Sequence, residues 1–141
     1  MAERLSIRKI LVVVDGTETG VRAARYAARL AALHGAALTA VAVVDTATLK
    51  SLLRSSVLVQ VEMEEFSAQL EASAQSSLNY AAQLAHESGV AIDVLLRKGS
   101  AHSVVIEEAR RLAPDLLVMG SFSTSLIKRD LSARGRRLIV D

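Results

Sequence analysis

An unbroken apolar run that ends at a polar turn near the start of the chain most constrains the fold. Residues 10–14 all have branched apolar side chains, and Asp15, Gly16 and Thr17 follow them directly. Such a run suits a strand buried on both faces, because a strand with one wet face alternates apolar and polar residues. Residues 18–33 are alanine-rich with helical spacing. Strand, turn and helix in this order are typical of the opening unit of a parallel α/β sheet.

The composition bounds the class of protein. The 141 residues are 51% hydrophobic but only 3% aromatic, so the core must consist mainly of Ala, Val, Leu and Ile. This length predicts a single domain, residues 1–141. The sequence contains no cysteine, which excludes a disulfide framework, a thiol nucleophile and a thiolate metal site.

The sequence also indicates where the protein acts. Its apolar runs are far shorter than the about 18 residues of a membrane span, and it begins without a signal-peptide core. We therefore expect a cytoplasmic protein with no membrane partner. The net charge of +2 is too small to indicate a nucleic-acid partner.

Strands and helices alternate along the chain, as they do in parallel α/β sheets. Near-continuous apolar runs predict strands at residues 9–14, 37–44, 91–96 and 116–119. Helical spacing predicts a helix after each of the first three strands, and these helices end at Gly35, at Gly89 and just before Pro114. The first helix is expected to begin near Thr17, whose hydroxyl can cap free amides. The result is a doubly wound parallel sheet covered on both faces.

Three parts of the chain fit the alternation of strands and helices less simply. Residues 46–61 carry a helical stripe of leucines, although residues 57–59 would also suit an extended piece, and we predict a mostly helical excursion there. Residues 138–140 are three apolar residues after two arginines, which suits either a short last strand or part of a further helix. Asp93 within the third strand predicts a position towards the edge of the sheet.

Four motifs in order resemble the universal stress protein family over about residues 8–140. They are the Asp-Gly-Thr turn, the end of the long helix, the Gly-Ser entry to the third helix and the fourth strand with its flanks, at residues 15–17, 85–90, 99–100 and 114–121. The resemblance implies a flavodoxin-like or Rossmann-like three-layer α/β/α sheet in the strand order 3-2-1-4-5, and a homodimer. In the family alignment residues 138–140 fall within a helix, which leaves the fifth strand missing. We then expect self-association through a different contact.

Family members that bind ATP share a loop pattern after the fourth strand. It is a glycine, two residues, a second glycine, nine residues, and then a glycine and a small hydroxyl residue. This chain has Gly120 in the first place, but Ser123 in the second and Ala133-Arg134 in the last pair. Glycines in a phosphate loop let backbone amides approach an oxyanion without a Cβ in the way. We therefore expect poor ATP binding, as in the branch of the family that does not bind ATP.

The resemblance also indicates where an adenine nucleotide would bind, if one binds. The candidate residues are Val14, Asp15, Gly16, Thr17, Val43, Val44, Met119, Gly120, Ser121 and Ser123. Asp15 would accept hydrogen bonds from the adenosine group, or it would only cap the first helix. Residues 119–121 would present backbone amides to phosphate, or would only form a tight turn. The two strand valines would flank the adenine ring, or would be plain core.

The sequence offers no recognisable catalytic constellation of paired carboxylates, spaced metal ligands or an activated nucleophile. We therefore predict a stress-response or regulatory protein that is not an enzyme, holds no cofactor, and acts through a regulatory protein partner or a ligand. The alternative is a domain that binds ATP, AMP or another adenine nucleotide with weak or no hydrolysis. The basic residues between positions 128 and 137 favour a solvated helical face over a phosphate or nucleic-acid contact.

Overall fold

The computed structural model describes residues 6–55, 60–120 and 138–140. Within these ranges one parallel sheet is formed by β1 (Lys9–Val13), β2 (Ala37–Asp45), β3 (Ile92–Gly99), β4 (Leu116–Val118) and β5 (Leu138–Val140). Its spatial order is β3-β2-β1-β4-β5. The helices in the same ranges are α1 (Glu18–His34), α2 (Thr46–Arg54), α3 (Gln60–Glu87) and α4 (Ala101–Leu112). The predicted doubly wound α/β fold is confirmed.

Both faces of the sheet are covered, which explains why the central strands are apolar nearly throughout. Helices α1 and α3 pack on the face that carries Ile10 and Val12, and α4 packs on the face that carries Leu11 and Val41. The buried stripe of α1 consists of small residues: Gly20, Ala23, Ala24, Ala27, Ala28 and Ala31. Small side chains allow α1 to lie close to the sheet, so this core needs few aromatic rings.

Residues 138–140 form the strand β5, which runs parallel to β4. Leu116 is in register with Leu138, and Val118 with Val140. Of the two alternatives for this segment, the short last strand is therefore correct, and the helix that the family alignment implies is not. Like β4, the strand β5 is only three residues long. A run of three residues is too short to show a period in the sequence.

Strand β3 lies at the opposite edge of the sheet and extends beyond its predicted end. Asp93 is exposed, which confirms the expected position at the edge. The added residues include two cations that are both paired: Arg97 Nε lies 3.2 Å from Glu108 Oε2, and Lys98 Nζ lies 3.3 Å from Glu71 Oε2. Charged residues on an edge strand oppose pairing with a strand of another molecule.

The excursion after β2 is helical in its described part. Helix α2 contacts α3, and its Leu49 is buried. Residues 57–59, for which an extended conformation was the alternative, lie outside the described residues. No described helix is long and apolar enough to cross a membrane.

Asp115 ties the start of β4 to the start of β1. Its Oδ2 accepts hydrogen bonds from the amides of Arg8, at 2.8 Å, and Lys9, at 3.0 Å. Its own amide donates to the carbonyl oxygen of Lys9 at 2.9 Å. Asp115 belongs to one of the four sequence motifs, and these contacts give it a structural role at the amino-terminal end of the two strands.

Candidate functional site

The sheet has a switch point between β1 and β4. The chain passes from β1 to β2 on one side, and the strand β4 joins β1 from the other side. In open α/β sheets ligands bind in the crevice outside the carboxyl ends of the strands at such a point. The described parts of the two loops that flank this crevice are residues 14–17 and 119–120. Both were predicted as candidate site residues.

The turn after β1 is organised by two side chains. Thr17 is the N-cap of α1, as predicted: its backbone is extended, with φ −78° and ψ 166°, and its Oγ1 accepts from the Gly20 amide at 3.1 Å. Asp15 acts on Thr17 instead of on the free amides of the helix. Its Oδ1 accepts from the Thr17 amide at 3.0 Å and from the Thr17 hydroxyl at 2.7 Å. Gly16 between them has a φ of +80°, which favours glycine.

Two further glycines make room for close contacts at this turn. A Cβ on Gly120 would lie 2.7 Å from Thr19 Oγ1 and 3.2 Å from Thr19 Cβ, so the end of β4 rests on the first turn of α1. A Cβ on Gly20 would overlap Oδ1 of Asp15. Gly20 therefore leaves the space that the Asp15 carboxylate occupies.

The structure separates the remaining predicted residues. Val14 is buried, and its amide donates to the carbonyl oxygen of Val41 at 3.0 Å. Val44 is buried on the face covered by α1 and α3, whereas Val43 is half-buried on the face covered by α4. The two valines therefore do not face the same side of the sheet. Met119 is buried on the α4 side.

Ser121, Ser123 and the pair Ala133-Arg134 lie outside the described residues, so their part in the site stays a prediction. Thr19 and Gly20 were not predicted as site residues, although the sequence holds a signal for Gly20. A glycine in the first turns of a helix costs about 1 kcal/mol relative to alanine, so it usually has a packing reason.

The charge at the described part of the crevice is negative. Residues 14–20 and 119–120 include two carboxylates, Asp15 and Glu18, and no lysine or arginine. A carboxylate attracts hydrogen-bond donors such as hydroxyl groups and repels phosphate oxygens. These two strand ends therefore offer carboxylate oxygens that can accept hydrogen bonds from hydroxyl groups.

A small cleft between α1 and α3 adjoins the same turn. Its volume is about 270 Å³ and it has an apolar side at Val14, Val21 and Ala24. Hydroxyl groups of α3 line the other side: Ser73, Ser76, Ser77 and Tyr80. The Tyr80 hydroxyl accepts from Arg25 Nη2 at 3.0 Å, which joins the two helices across the cleft.

A buried carboxylate lies away from the crevice, on the α4 side of the sheet. Glu108 is only 4% exposed, and it accepts from Arg97 Nε at 3.2 Å and from Arg111 Nε at 3.0 Å. Burial alone would raise the pKa of Glu108, but the hydrogen bonds and charges of Arg111 and Arg97 lower it below its ordinary value. Among the described residues no His, Asp and Glu side chains cluster in a way that would hold a metal ion.

The strand order, the switch point and the polar turn define a class, the doubly wound α/β domains. Within that class the chain belongs to the universal stress protein family, whose sequence profile matches residues 6–134.

A curated relative, the universal stress protein MJ0531 of Methanocaldococcus jannaschii, is 27% identical over 124 residues, which are 88% of this chain and 70% of the relative. Two solved structures share the fold. One is the UspA protein of Lactobacillus plantarum, with a TM-score of 0.72, 22% identity and coverage of 95% of this chain and 97% of that one. The other is a family member from Burkholderia pseudomallei, with a TM-score of 0.67, 23% identity and coverage of 97% of each chain.

Some structures of the same fold contain an adenine nucleotide. A family member from Arabidopsis thaliana, with a TM-score of 0.65 and 17% identity over 94% of this chain and 90% of its own, holds AMP. The protein from Archaeoglobus fulgidus holds dAMP, and another universal stress protein holds cAMP, each with a TM-score of 0.62. Each of these nucleotides is bound by the protein in whose structure it lies.

Proposed function

We propose that this protein is a regulatory member of the family that is not an enzyme, and that it binds an adenine nucleoside or nucleoside monophosphate. The site is the crevice between the loops after β1 and β4. The observation that carries the proposal is the Asp15 carboxylate at this crevice, with no cation in residues 14–20 or 119–120. The AMP, dAMP and cAMP complexes of proteins with the same fold support the choice of ligand.

The ribose of the ligand is the group that Asp15 would recognise. Its hydroxyls are donors, and an ionised carboxylate accepts hydrogen bonds with both of its oxygens. Asp15 Oδ1 already accepts from Thr17, so a second acceptor site must serve the ligand or the carboxylate must turn. The Asp15 charge disfavours phosphates close to it, and the phosphate group of the ligand would therefore point away from the β1 turn.

A triphosphate fits this proposal less well than a monophosphate. ATP carries several negative charges, which need cations or many backbone amides to replace water. Ser123 and Arg134 stand where the ATP-binding pattern has a glycine and a small hydroxyl residue. Each lost charge-assisted hydrogen bond weakens binding by about 1.5–3 kcal/mol, so two lost contacts reduce affinity by orders of magnitude.

The proposed function is binding of the ligand without a catalytic reaction. General acid–base catalysis requires a base within hydrogen-bond reach of the reacting group and a pKa matched to its task. Asp15 and Glu18 are the two carboxylates of residues 14–20 and 119–120. Asp15 Oδ1 already accepts hydrogen bonds from the amide and the hydroxyl of Thr17. We propose that binding, and not hydrolysis, transmits the signal, and that the protein acts in the cytoplasm as a homodimer that a regulatory protein partner recognises.

The experiment is to identify the small molecules that the purified protein releases. Protein prepared without added nucleotide is denatured, and the released compounds are measured by mass spectrometry, with Asp15→Asn as the matched control. We expect an adenine nucleoside or monophosphate, retained by the wild-type protein and reduced in the variant. ATP as the main compound, or equal retention by both proteins, would contradict the proposal.

A further inference from the structure

Gly20 and Asp15 compete for one small space in the first turn of α1. The Asp15 carboxylate lies where a side chain at position 20 would be: a Cβ there would overlap Oδ1, and would lie 3.1 Å from Asp15 Cγ and 3.2 Å from its amide nitrogen. The side chain of Asp15 can occupy this space only because residue 20 is a glycine.

Three interactions favour this inward position of the carboxylate. Oδ1 accepts from the Thr17 amide at 3.0 Å and from the Thr17 hydroxyl at 2.7 Å. A negative charge at the amino terminus of α1 is also stabilised by the helix dipole. The two hydrogen bonds are lost when the carboxylate turns away from the helix and towards the crevice.

We propose that Gly20 is a positioning residue that holds the Asp15 carboxylate against α1 and so limits its contact with the ligand. The effect on affinity rests on the proposed function, whereas the position of the carboxylate does not. A ligand that needs the outward position binds with an affinity reduced by the fraction of molecules that adopt it. A residue with a Cβ at position 20 excludes the inward position and removes that reduction.

The substitution Gly20→Ala tests this proposal with two independent readouts. The first is amide hydrogen exchange. We expect the Thr17 amide to lose protection in Gly20→Ala, because its acceptor is displaced. The amide of residue 20 should stay protected, because the Thr17 hydroxyl that it donates to is unchanged. An unchanged Thr17 amide would overturn the proposal.

The second readout is the affinity for AMP, measured by calorimetry. We expect Gly20→Ala to bind AMP about tenfold more tightly, as removal of a competing conformation predicts. The gain should vanish when Gly20→Ala is introduced into Asp15→Ala, because that protein has no side-chain oxygen at position 15 to turn towards the ligand. The control Ala32→Gly changes helix propensity at an exposed position of α1 and should alter neither readout.

The two readouts separate the failure of this inference from the failure of the proposed function. If AMP binds and depends on Asp15, but Gly20→Ala weakens it or leaves it unchanged, the positioning role of Gly20 is wrong. If AMP binds to none of the proteins, the proposed function is wrong, and the exchange of the Thr17 amide still decides where the carboxylate lies.

Discussion

The Thr17 hydroxyl serves both the helix and the candidate site. As an acceptor it caps α1 through the Gly20 amide at 3.1 Å, and as a donor it binds Asp15 Oδ1 at 2.7 Å. A serine in this place would keep both hydrogen bonds, because serine has the same hydroxyl on the same carbon. The local stability of the turn and the position of the carboxylate therefore depend on one side chain.

We predict that Thr17→Ala lowers the free energy of unfolding by about 1 kcal/mol, since that is the usual loss for an N-cap hydroxyl. Thr17→Ser should recover most of this loss. Denaturant unfolding of the three proteins provides the measurement. Equal stability of the wild-type protein and Thr17→Ala would show that the cap contributes nothing.

Glu108 makes the stability of the protein depend on pH. Its pKa in the folded protein is below the ordinary value of 4.5, because Arg111 and Arg97 outweigh the effect of burial. The stabilisation is therefore complete above pH 4.5 and is lost as the pH falls through the lower, folded-state pKa. A hydrogen bond of a charged group contributes about 1.5–3 kcal/mol. The partial exposure of both arginines places the contribution of Glu108 towards the low end of this range.

We predict that Glu108→Gln lowers the free energy of unfolding at pH 7 and flattens its decline below pH 4.5. The reason is that glutamine keeps the shape of the side chain but has no proton to gain. Denaturant unfolding at a series of pH values compares the two proteins. Parallel curves for them would contradict the assignment of this pH dependence to Glu108.

At the scale of elements, β4 is fixed to its neighbours at both ends. At its start Asp115 accepts from two amides at the beginning of β1, and at its end Gly120 touches Thr19 of α1. A strand of only three residues makes few ladder hydrogen bonds of its own, so these end contacts define its position.

We predict that Gly120→Ala destabilises the protein by about 1–3 kcal/mol, because the new Cβ would press on Thr19 and a packed contact has no room for a methyl group. Thr19→Ala in the same chain should relieve part of the loss. A double-mutant cycle measured by denaturant unfolding tests the coupling. Additive effects of the two substitutions would mean that Gly120 and Thr19 do not restrain each other.

The sequence predicts the elements that carry a long or repeated signal. The strands β1, β2 and β4 are apolar because both faces are covered, and the long helix α3 shows its period over many residues. β5 has no such signal, since its assignment depends on pairing with β4. The extension of β3 follows from its pairing with β2, in which residues 97–99 lie opposite residues 43–45, and a polar run gives no apolar signal for it in the sequence.

The candidate site was predicted in its chain position but not in its geometry. The turn residues Asp15 and Thr17 follow from the end of a buried strand, and the cap at Thr17 from its residue type. The inward turn of the Asp15 carboxylate depends on empty space at Gly20, and no pattern of residue types reveals empty space. The opposite orientation of Val43 and Val44 does follow from the alternation of side chains along a strand.

At the scale of the whole molecule, the two edges of the described sheet differ. The β3 edge carries Asp93 and Lys98, both exposed, beside an exposed Val94. These charges oppose pairing between copies of the chain at this edge. The β5 edge lies on the other side, next to β4. A homodimer that pairs strands is therefore expected to use the β5 edge. Twofold symmetry, which is the commonest symmetry of oligomers, would place the β5 strands of the two copies side by side.

We predict that light scattering gives twice the chain mass of 15.0 kDa over a concentration series. Val94→Lys at the β3 edge should leave the dimer intact, whereas removal of residues 138–141 should yield a monomer whose circular dichroism still shows a folded domain. A full-length protein that stays monomeric at high concentration, or a dimer that dissociates in Val94→Lys, would contradict this prediction.

The most direct test of the central claim is a calorimetric comparison of AMP and ATP, each titrated into the wild-type protein and into Asp15→Asn. We predict that AMP binds more tightly than ATP and that Asp15→Asn weakens AMP binding about tenfold, since it removes the charge from a hydrogen bond of about 1.5–3 kcal/mol. ATP binding as tight as that of AMP, or AMP binding that does not depend on Asp15, would contradict it.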